Sequence, residues 1–323
     1  MAKNGILITG GSGLVGAYTV AMLLERGERP VVFDVALNER LLSAVGVDPA
    51  KVTLIRGDMM DLPALISALR DNDCDRIIHL AAFLGEEVQR RPYSGVRLNF
   101  MGTVNVFEAA RLEKVARVIF SSSGTVYLGS LGEGMGKIDE SIPMNPPSVY
   151  AATKASCEFM GRAYAKRYGF EFICLRYTGG LYGPSPAALK ATREIAIQQM
   201  IRAAVKGEPA KIGWPYGPAE ILYGKDAAKG TVLAVLKDKF KDTLFHIGNG
   251  DTLSGDDIVD AVRKVFPGSN IELIKGNNLM PYPESRLASD FSRAKDQLNY
   301  EPEFTIEKAV ADYGATLRKL ENI

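Results

Sequence analysis

Hydrophobic and polar residues alternate in blocks along the first half of the chain, where short apolar runs separate stretches with helical periodicity. This arrangement is typical of a parallel sheet covered by helices on both faces. It predicts strands at Ile6–Thr9, Pro30–Asp34, Val52–Arg56, Arg76–Leu80, Arg117–Ser121 and Phe170–Tyr177. It predicts helices at Leu14–Arg26, Leu62–Arg70, Val96–Arg111 and Tyr150–Tyr168. The predicted fold class is therefore α/β, with a doubly wound parallel sheet.

The pattern changes after Tyr177, where Gly179, Gly180, Gly183, Pro184 and Pro186 predict a loop. Further helices are predicted at Thr192–Val205, Asp226–Leu236, Gly255–Val265, near Ser292–Leu298 and at Ile306–Leu320, with strands at Thr243–Ile247 and Ile271–Lys275. We expect residues 226–248 to return to the first domain. The prediction is a larger domain of residues 1–177 plus about 226–250, and a smaller C-terminal lobe of about 178–225 and 251–323.

Composition narrows the class of protein. The chain has 323 residues, is 46% hydrophobic and carries a formal net charge of +1. A nucleic-acid or membrane-surface partner would require a basic excess, so neither is expected. The three cysteines form no CxxC pair, which argues against a zinc site or a disulfide framework and favours buried thiols. No signal peptide and no apolar run of ~18 residues is visible, so a reducing, cytoplasmic setting is the default expectation.

A glycine-rich turn between the first strand and the first helix predicts a dinucleotide site. Gly10, Gly13 and Gly16 let the backbone amides of the helix start, at Leu14 and Val15, approach a pyrophosphate. A glycine turn that binds nothing is the alternative. Asp34 ends the next strand, where a carboxylate can accept hydrogen bonds from the adenosine ribose and would repel a 2′-phosphate. We therefore expect NAD rather than NADP, although Asp34 could instead cap the segment that follows.

Two further strand ends carry candidate cofactor residues. Asp58, followed by Met59, is placed to meet adenine or to start the next helix, whereas Asp61 is favoured as the N-cap of that helix. Leu80, Ala81 and Ala82 end the fourth strand, and small residues there allow the backbone to approach a cofactor. The two histidines, His79 and His246, are expected to be packed strand residues rather than catalysts.

Tyr150 and Lys154 stand four positions apart, which places both side chains on one face of a helix. Free tyrosine ionises near pH ~10, and an adjacent ammonium favours the phenolate. A pKa lower by ~3 units requires roughly 4 kcal/mol, whereas one exposed ion pair supplies ~1 kcal/mol or less. The tyrosine would need partial burial and a second positive charge, which an oxidised nicotinamide supplies.

Taken together, these motifs resemble the extended short-chain dehydrogenase/reductase family, which includes nucleotide-sugar epimerases and dehydratases. The matching segments are Thr9–Gly16, Asp34, Gly57–Asp61, His79–Ala82, Asn99–Asn105, Ser121–Tyr127, Tyr150–Lys154 and Leu175–Tyr177. The resemblance implies a Rossmann fold that binds NAD and a smaller substrate-binding lobe.

The same resemblance implies roles for individual residues. Tyr150 would exchange a proton with the substrate hydroxyl, Lys154 would bind the nicotinamide ribose, and Ser123 would hydrogen-bond the reacting oxygen. Asn99 would hold backbone and water behind the lysine, with a plain helix N-cap as the alternative. Tyr177 is counted among the cofactor residues.

The substrate side departs from the family pattern. Sugar-nucleotide epimerases usually carry an asparagine where this chain has Gly179, and an arginine in the segment that here contains Ala219 and Glu220. Fork-shaped guanidinium groups suit a diphosphate best. We therefore expect oxidation or reduction of a secondary hydroxyl on a small hydroxylated or sugar-like compound. A nucleotide-sugar 4-epimerase is the alternative.

Two other candidate functions are less favoured. Dehydratases place an acid pair where Gly124 and Thr125 stand, so dehydration is the least expected family chemistry. A scaffold that binds NAD without chemistry would not need the tyrosine–lysine pair. The candidate substrate contacts are Phe83, Ser122, Ser123, Thr125, Tyr182 and Arg286. A homodimer is expected through the helices at Val96–Arg111 and Tyr150–Tyr168, with Phe107, Ala110, Phe159 and Tyr164 either at the seam or in the core.

Overall fold

A seven-stranded parallel sheet forms the centre of the molecule. The structure is a computed structural model and describes residues 4–132, 135–185, 195–214, 217–274 and 287–322. The strands are β1 (Gly5–Thr9), β2 (Arg29–Asp34), β3 (Thr53–Arg56), β4 (Cys74–His79), β5 (Arg117–Ser123), β6 (Glu171–Tyr177) and, after three short strands, β10 (Leu244–Ile247). They lie in the order β10-β6-β5-β4-β1-β2-β3. This is the predicted doubly wound α/β class, which is confirmed.

Helices cover both faces of the sheet because successive strand residues point to opposite sides. In β1, Ile6 and Ile8 join one apolar cluster and Leu7 joins another, and all three are fully buried. The first half contributes α1 (Leu14–Glu25), α2 (Glu39–Ala44), α3 (Leu62–Asp71), α4 (Gly85–Arg90), α5 (Pro92–Val96), α6 (Thr103–Leu112) and α7 (Val149–Tyr168). The second half contributes α8 (Ala196–Lys206), α9 (Gly224–Leu236), α10 (Gly255–Val265), α11 (Ser292–Leu298) and α12 (Ile306–Glu321).

Local signals explain where the long helix α7 begins and ends. The Ser148 side chain accepts a hydrogen bond from the amide of Ala151, which satisfies one of the unpaired first-turn amides. Gly169 ends the helix in the left-handed conformation, with φ of 86°. Because α7 starts at Val149, Tyr150 stands in the first turn, beside the carboxyl end of the sheet.

Most predicted elements are present within one or two residues in the described ranges. Pro186 of the predicted loop, the start of the helix predicted at Thr192–Val205 and Lys275 at the end of a predicted strand lie outside those ranges. Two predictions differ from the structure. The predicted helix Val96–Arg111 is interrupted, since Arg97–Gly102 is π-helical between α5 and α6. The predicted loop after Tyr177 contains β7 (Gly180–Tyr182), which pairs with β9 (Ile221–Tyr223). The loop prediction was therefore wrong for Gly180–Tyr182, where a short strand forms and Tyr182 is buried against Tyr223, whereas Gly179 and residues 183–185 are irregular as predicted.

Residues after Tyr223 return to the central sheet. Helix α9 packs against α1, and β10 pairs with β6 from Leu244↔Cys174 to Ile247↔Tyr177. A separate small sheet pairs β8 (Ala210–Gly213) with β11 (Ile271–Ile274). The limits of the two domains stay a prediction. Within the parts of the chain described above, no helix has the length and apolar character needed to cross a bilayer.

Candidate active site at the carboxyl ends of the strands

The glycine turn after β1 is held so tightly that side chains would not fit. A Cβ on Gly16 would lie 2.2 Å from the carbonyl oxygen of Gly10, and Gly10 itself has φ of +73°. Helix α1 begins at Leu14 without a side-chain cap on its first turn. Its first-turn amides, those of Leu14 and Val15 among them, are therefore available to an anion.

Ser12 and Asp34 connect this turn to the end of β2. The Ser12 amide donates to Asp34 Oδ2 at 3.1 Å. Burial raises the pKa of the Asp34 carboxyl, and hydrogen bonds from the Ala36 and Ser12 amides oppose that shift. The Ser12 hydroxyl is buried and finds no partner among the described residues. A buried, unpaired hydroxyl beside a glycine cradle and a carboxylate fits a dinucleotide that carries phosphate and ribose groups.

The fourth strand end lies against the glycine turn, and its contact with a cofactor stays a prediction. The Leu80 amide donates to the Thr9 carbonyl at 3.0 Å, and a Cβ on Gly10 would lie 2.8 Å from the Ala81 amide. Ala82 follows directly and is partly exposed.

The third strand end separates the two aspartates. Asp61 is the N-cap of α3, accepting from the Ala64 amide at 3.0 Å, so that prediction is confirmed. Asp58 is exposed and accepts from the Met60 amide in a turn, and Met59 is 4% exposed and packs near Gly102. The adenine contact of Asp58 stays a prediction.

Lys154 and Tyr150 face each other beneath this edge. Lys154 is 5% exposed, and its Nζ donates to the Ser121 carbonyl at 2.6 Å and lies 5.9 Å from the Tyr150 ring centroid. Burial lowers the pKa of Lys154 to about 8. Burial raises the pKa of Tyr150 to about 12, against a hydrogen bond with Ser123 that lowers it. The protein alone therefore keeps the phenol protonated. Burial opposes the lowered pKa that the sequence analysis required, and the second positive charge from a nicotinamide stays a prediction.

The serines at the end of β5 differ in what they contact. Ser123 Oγ accepts from the Thr125 amide at 3.2 Å and from the Thr125 hydroxyl at 3.0 Å, in addition to its bond with Tyr150. Ser122 is 3% exposed and its hydroxyl donates to Glu158 Oε1 at 2.5 Å. Ser123 thus lies beside the Tyr150 phenol and Thr125 beside Ser123, whereas the buried position of Ser122 is unfavourable for a substrate contact.

Asn99 acts from within the π-helical segment. Its Oδ1 accepts from the Phe83 amide at 2.7 Å and its Nδ2 donates to the Phe83 carbonyl at 3.0 Å. The segment continues a helix that began earlier, so the alternative of a plain N-cap was wrong. Asn99 holds the backbone after β4, which places Phe83 next to the site, and its Nδ2 also lies 3.5 Å from the hydroxyl of Thr153.

Other candidates lie in the core. The Tyr177 hydroxyl hydrogen-bonds Thr231 at 2.7 Å, and Tyr182 is 2% exposed with its ring 5.2 Å from that of Tyr223. The Tyr177 hydroxyl is therefore engaged, and the ring of Tyr182 is packed in the core. Arg286 lies outside the described residues.

The histidines and cysteines are packed, as expected. His79 lies between the hydroxyls of Thr9 and Thr103, at 2.6 and 2.9 Å, and burial lowers its pKa to about 3. His246 is fully buried. The free cysteines Cys74, Cys157 and Cys174 are buried. Across the described ranges, no group of three or more His, Cys, Asp or Glu side chains could hold a metal ion.

Phe107 and Ala110 were expected either at a dimer interface or in the core. Both are fully buried against the sheet, so core packing was the correct interpretation. Phe159 is 61% exposed.

Sequence reasoning missed Glu158, which is fully buried beneath the site and pairs with Arg176. Extending the Tyr150–Lys154 spacing by one more turn would have indicated it.

Comparison with known proteins agrees with this geometry. A family model described as "NAD dependent epimerase/dehydratase family" matches residues 6–248. A UDP-glucose 4-epimerase of Halalkalibacterium halodurans is 27% identical over 93% of this chain and 91% of its own length. A dTDP-glucose 4,6-dehydratase of Streptomyces antibioticus is 28% identical over 95% of this chain and 93% of its own.

Among solved structures, a UDP-glucose-4-epimerase of Stenotrophomonas maltophila with bound NAD superposes with a TM-score of 0.86. That alignment covers 99% of both chains at 20% identity, so it bears on the fold alone.

Proposed function

The chain belongs to the NAD-dependent epimerase/dehydratase family, and we propose on that premise that it oxidises or reduces a secondary hydroxyl of a small hydroxylated or sugar-like substrate. NAD is the cofactor of the family. The observation that carries the proposal is the meeting of Tyr150, Ser123 and Lys154 at the edge of the sheet that also holds the glycine turn.

Each residue has a separate task in this chemistry. Tyr150 takes the proton from the substrate hydroxyl, and general base catalysis of this kind contributes ~10²–10⁴-fold. Ser123 donates a hydrogen bond to the oxygen as it becomes a carbonyl. Lys154 keeps a positive charge within reach of the phenolate, since its ammonium is fixed to the Ser121 carbonyl. NAD, when bound at the glycine turn, would supply the acceptor for the hydride that leaves the carbon of the hydroxyl.

The cofactor contacts form a second part of the proposal. The backbone at Gly10, Gly13, Leu14, Val15 and Gly16 would hold the pyrophosphate and Asp34 the adenosine ribose. The strand ends at Asp58–Met59 and Leu80–Ala82 would line the same cleft. Asn99 would act indirectly by holding Phe83.

The preference for a small substrate is supported by Gly179 and Glu220. Gly179 has φ of +77°, and a Cβ there would lie 2.6 Å from the Glu220 carbonyl oxygen. An asparagine at this position would require the backbone at Glu220 to shift. Glu220 is 1% exposed, and its carboxylate accepts from Asn249, Gly250 and Ser289. A buried, saturated carboxylate does not replace an arginine as a partner for a diphosphate.

A nucleotide-sugar 4-epimerase is the second candidate, because several curated relatives carry that name at 25–28% identity. In that reaction the same carbon would be oxidised and re-reduced, with no net change in NAD. A cofactor that copurifies with the protein would favour this candidate, whereas net formation of NADH from added NAD would favour the dehydrogenase.

The test is a screen of sugars, hydroxy acids and UDP-sugars with added NAD, followed by the absorbance of reduced nicotinamide and by product chromatography. A Tyr150→Phe variant serves as the matched control. It should abolish turnover and leave NAD binding within about 3-fold, because only the hydroxyl is removed. Simultaneous loss of both would contradict the role assigned to Tyr150.

A homodimer in the cytoplasm completes the proposal. Exposed apolar side chains lie on helical segments that contact one another, namely Tyr93, Val96, Met101, Phe159 and Tyr168. Covering these side chains by a second copy would remove apolar area from water. Sedimentation of the protein and of a Phe159→Glu variant tests this, with a dimer for the former and a shift to monomer for the latter. Three buried free thiols fit a reducing compartment.

A further inference from the structure

Three consecutive serines at the end of β5 each contact a different residue of α7. The Ser121 carbonyl accepts from Lys154, Ser122 Oγ donates to Glu158, and Ser123 hydrogen-bonds Tyr150. The three partners on α7 are spaced four residues apart, so they share one helix face. Separate hydrogen bonds over two helical turns therefore set the register between the strand end and the helix.

The Glu158 carboxylate is the charged member of this set. It is fully buried, and Arg176 donates to both its oxygens, from Nε at 2.8 Å and from Nη2 at 2.7 Å. Arg162 adds a contact of 3.4 Å. Burial raises the pKa of Glu158, but the hydrogen bond and charge of Arg176 outweigh it and leave the pKa below its usual value. Ser122 thus donates to a carboxylate that stays ionised near neutral pH.

Arg176 also reaches the turn that follows Ser123. It stands opposite Ser122 in the β5–β6 ladder, and its Nη1 donates to the Tyr127 hydroxyl. Tyr127 lies in the 3-10 segment Gly124–Ser130 and shares a hydrogen bond of 2.7 Å with His246 Nε2. The ion pair therefore holds the strand end from one side and the turn after it from the other.

We propose that Glu158, fixed by Arg176, is a positioning residue that holds Ser121–Ser123 so that Ser123 and the Lys154 ammonium are aligned with Tyr150. A buried ion pair is often no more stabilising than apolar residues of the same size, so the geometry it imposes is the stronger reason for its presence here. A displacement of ~1 Å at a reacting group can cost ~10²-fold in rate. The inference rests on the proposed function, in which Tyr150 is the acid/base.

The test separates the strand-end contact from the ion pair. Ser122→Ala removes the contact to Glu158 and leaves Glu158–Arg176 intact. The NAD-loaded protein is titrated by tyrosinate absorbance, and the trace of the same protein carrying Tyr150→Phe is subtracted, which isolates Tyr150 from the other tyrosines. We expect the Tyr150 midpoint to rise by about one pH unit in Ser122→Ala, with NAD affinity within about 3-fold of the parent.

A matched control lies at the opposite end of the same two strands. Arg117 and Glu171 pair β5 with β6 at their amino ends, at 2.6 Å, far from the site. Glu171→Gln should leave the Tyr150 midpoint unchanged. An equal shift in both variants would mean a general loosening of the sheet and would overturn the inference. So would an unchanged midpoint in Ser122→Ala.

The second part of the test measures kcat and KM with any substrate that the screen identifies. Ser122→Ala should lower kcat by about 10-fold at constant KM, and Glu158→Gln should lower it further. A raised KM with unchanged kcat would make Ser122 a direct substrate contact and contradict the positioning role. If the tyrosinate shift is found but no compound is turned over, the proposed function fails while the positioning inference stands. If Glu158→Gln does not fold, Ser122→Ala alone decides.

Discussion

The half of the molecule before Tyr177 and the half after it bond the polar side chains of their strand ends and helix starts over different distances along the chain. In the first half, Asp61 and Ser148 each accept from the amide three residues on, and Asp34 accepts from the Ser12 amide of the preceding strand–helix turn. In the second half, Glu220 is held by Ser289 and Asp226 by the amides of Glu303 and Phe304, which lie 69 to 78 positions away. The half that carries the proposed cofactor contacts thus relies on local contacts, whereas these two carboxylates of the second half rely on long-range ones.

The largest expected effect belongs to the first half. Lys154→Met retains the apolar stem and removes the ammonium bound to the Ser121 carbonyl. We expect turnover to fall by roughly 10³-fold and NAD to bind more weakly, because the charge next to Tyr150 and the ribose contact are lost together. Steady-state kinetics and a fluorescence titration with NADH measure both. Unchanged NAD affinity would remove Lys154 from the cofactor contacts.

A second variant with a large expected effect tests the glycine turn between β1 and α1. Gly16→Ala forces a Cβ to within 2.2 Å of a backbone oxygen, so the turn must move. We expect a loss of about 3 kcal/mol in the free energy of unfolding and a marked loss of NAD affinity. Gly213→Ala in the second half is the matched control, since nothing lies within 4 Å of its Cβ. If Gly16→Ala were as stable and bound NAD as tightly as Gly213→Ala, the turn would tolerate displacement and the prediction would be contradicted.

These first-half features could be predicted from sequence because each depends on neighbours in a strand–turn–helix unit. The glycine spacing, Asp34 after β2 and the Tyr150–Lys154 pair all lie where parallel topology brings strand ends to one edge. The helical spacing places Glu158 on the face of Tyr150 and Lys154, but neither its contact with Ser122 nor the π-helical segment at Arg97–Gly102 could be predicted, since both depend on how helices pack on the finished sheet.

The second half was predicted in outline only. Its helices follow local periodicity, but the pairing of Gly180–Tyr182 with Ile221–Tyr223 joins segments about forty residues apart through buried aromatic packing. Tyr182 was expected at the substrate and lies in the core, because its ring packs against Tyr223, whose hydroxyl is bonded to Asp312. No spacing in the sequence indicates a partner that far along the chain.

A pH-dependent effect of intermediate size tests the long-range contacts. Burial raises the pKa of Asp226 to about 6, against hydrogen bonds from the Glu303 and Phe304 amides. A carboxyl whose folded pKa is raised stabilises the protein below its unfolded pKa near ~4 and loses that contribution as pH rises through about 6. Asp226→Asn should therefore gain roughly 2–3 kcal/mol relative to the parent between pH 4 and 7. Denaturant unfolding across that range measures it, and parallel curves would contradict the assignment.

The smallest expected effect, the loss of one helix N-cap, should be equal in the two halves. Asp61 caps α3 through the Ala64 amide, and Ser254 caps α10 through the Asp257 amide. Replacement of either by alanine should cost ~1 kcal/mol, because each removes one acceptor from an exposed helix start. Urea unfolding of both variants tests whether local signals act alike on the two sides. A cost several times larger for one of them would show that its cap also carries tertiary contacts.

The most direct test of the account is a crystal structure of the protein with NAD bound. The account predicts the pyrophosphate at the Gly10–Gly16 turn, the adenosine ribose at Asp34, and the nicotinamide ring beside Tyr150 with Lys154 within reach of its ribose. A dinucleotide bound elsewhere, or a nicotinamide turned away from the Tyr150 hydroxyl, would contradict it.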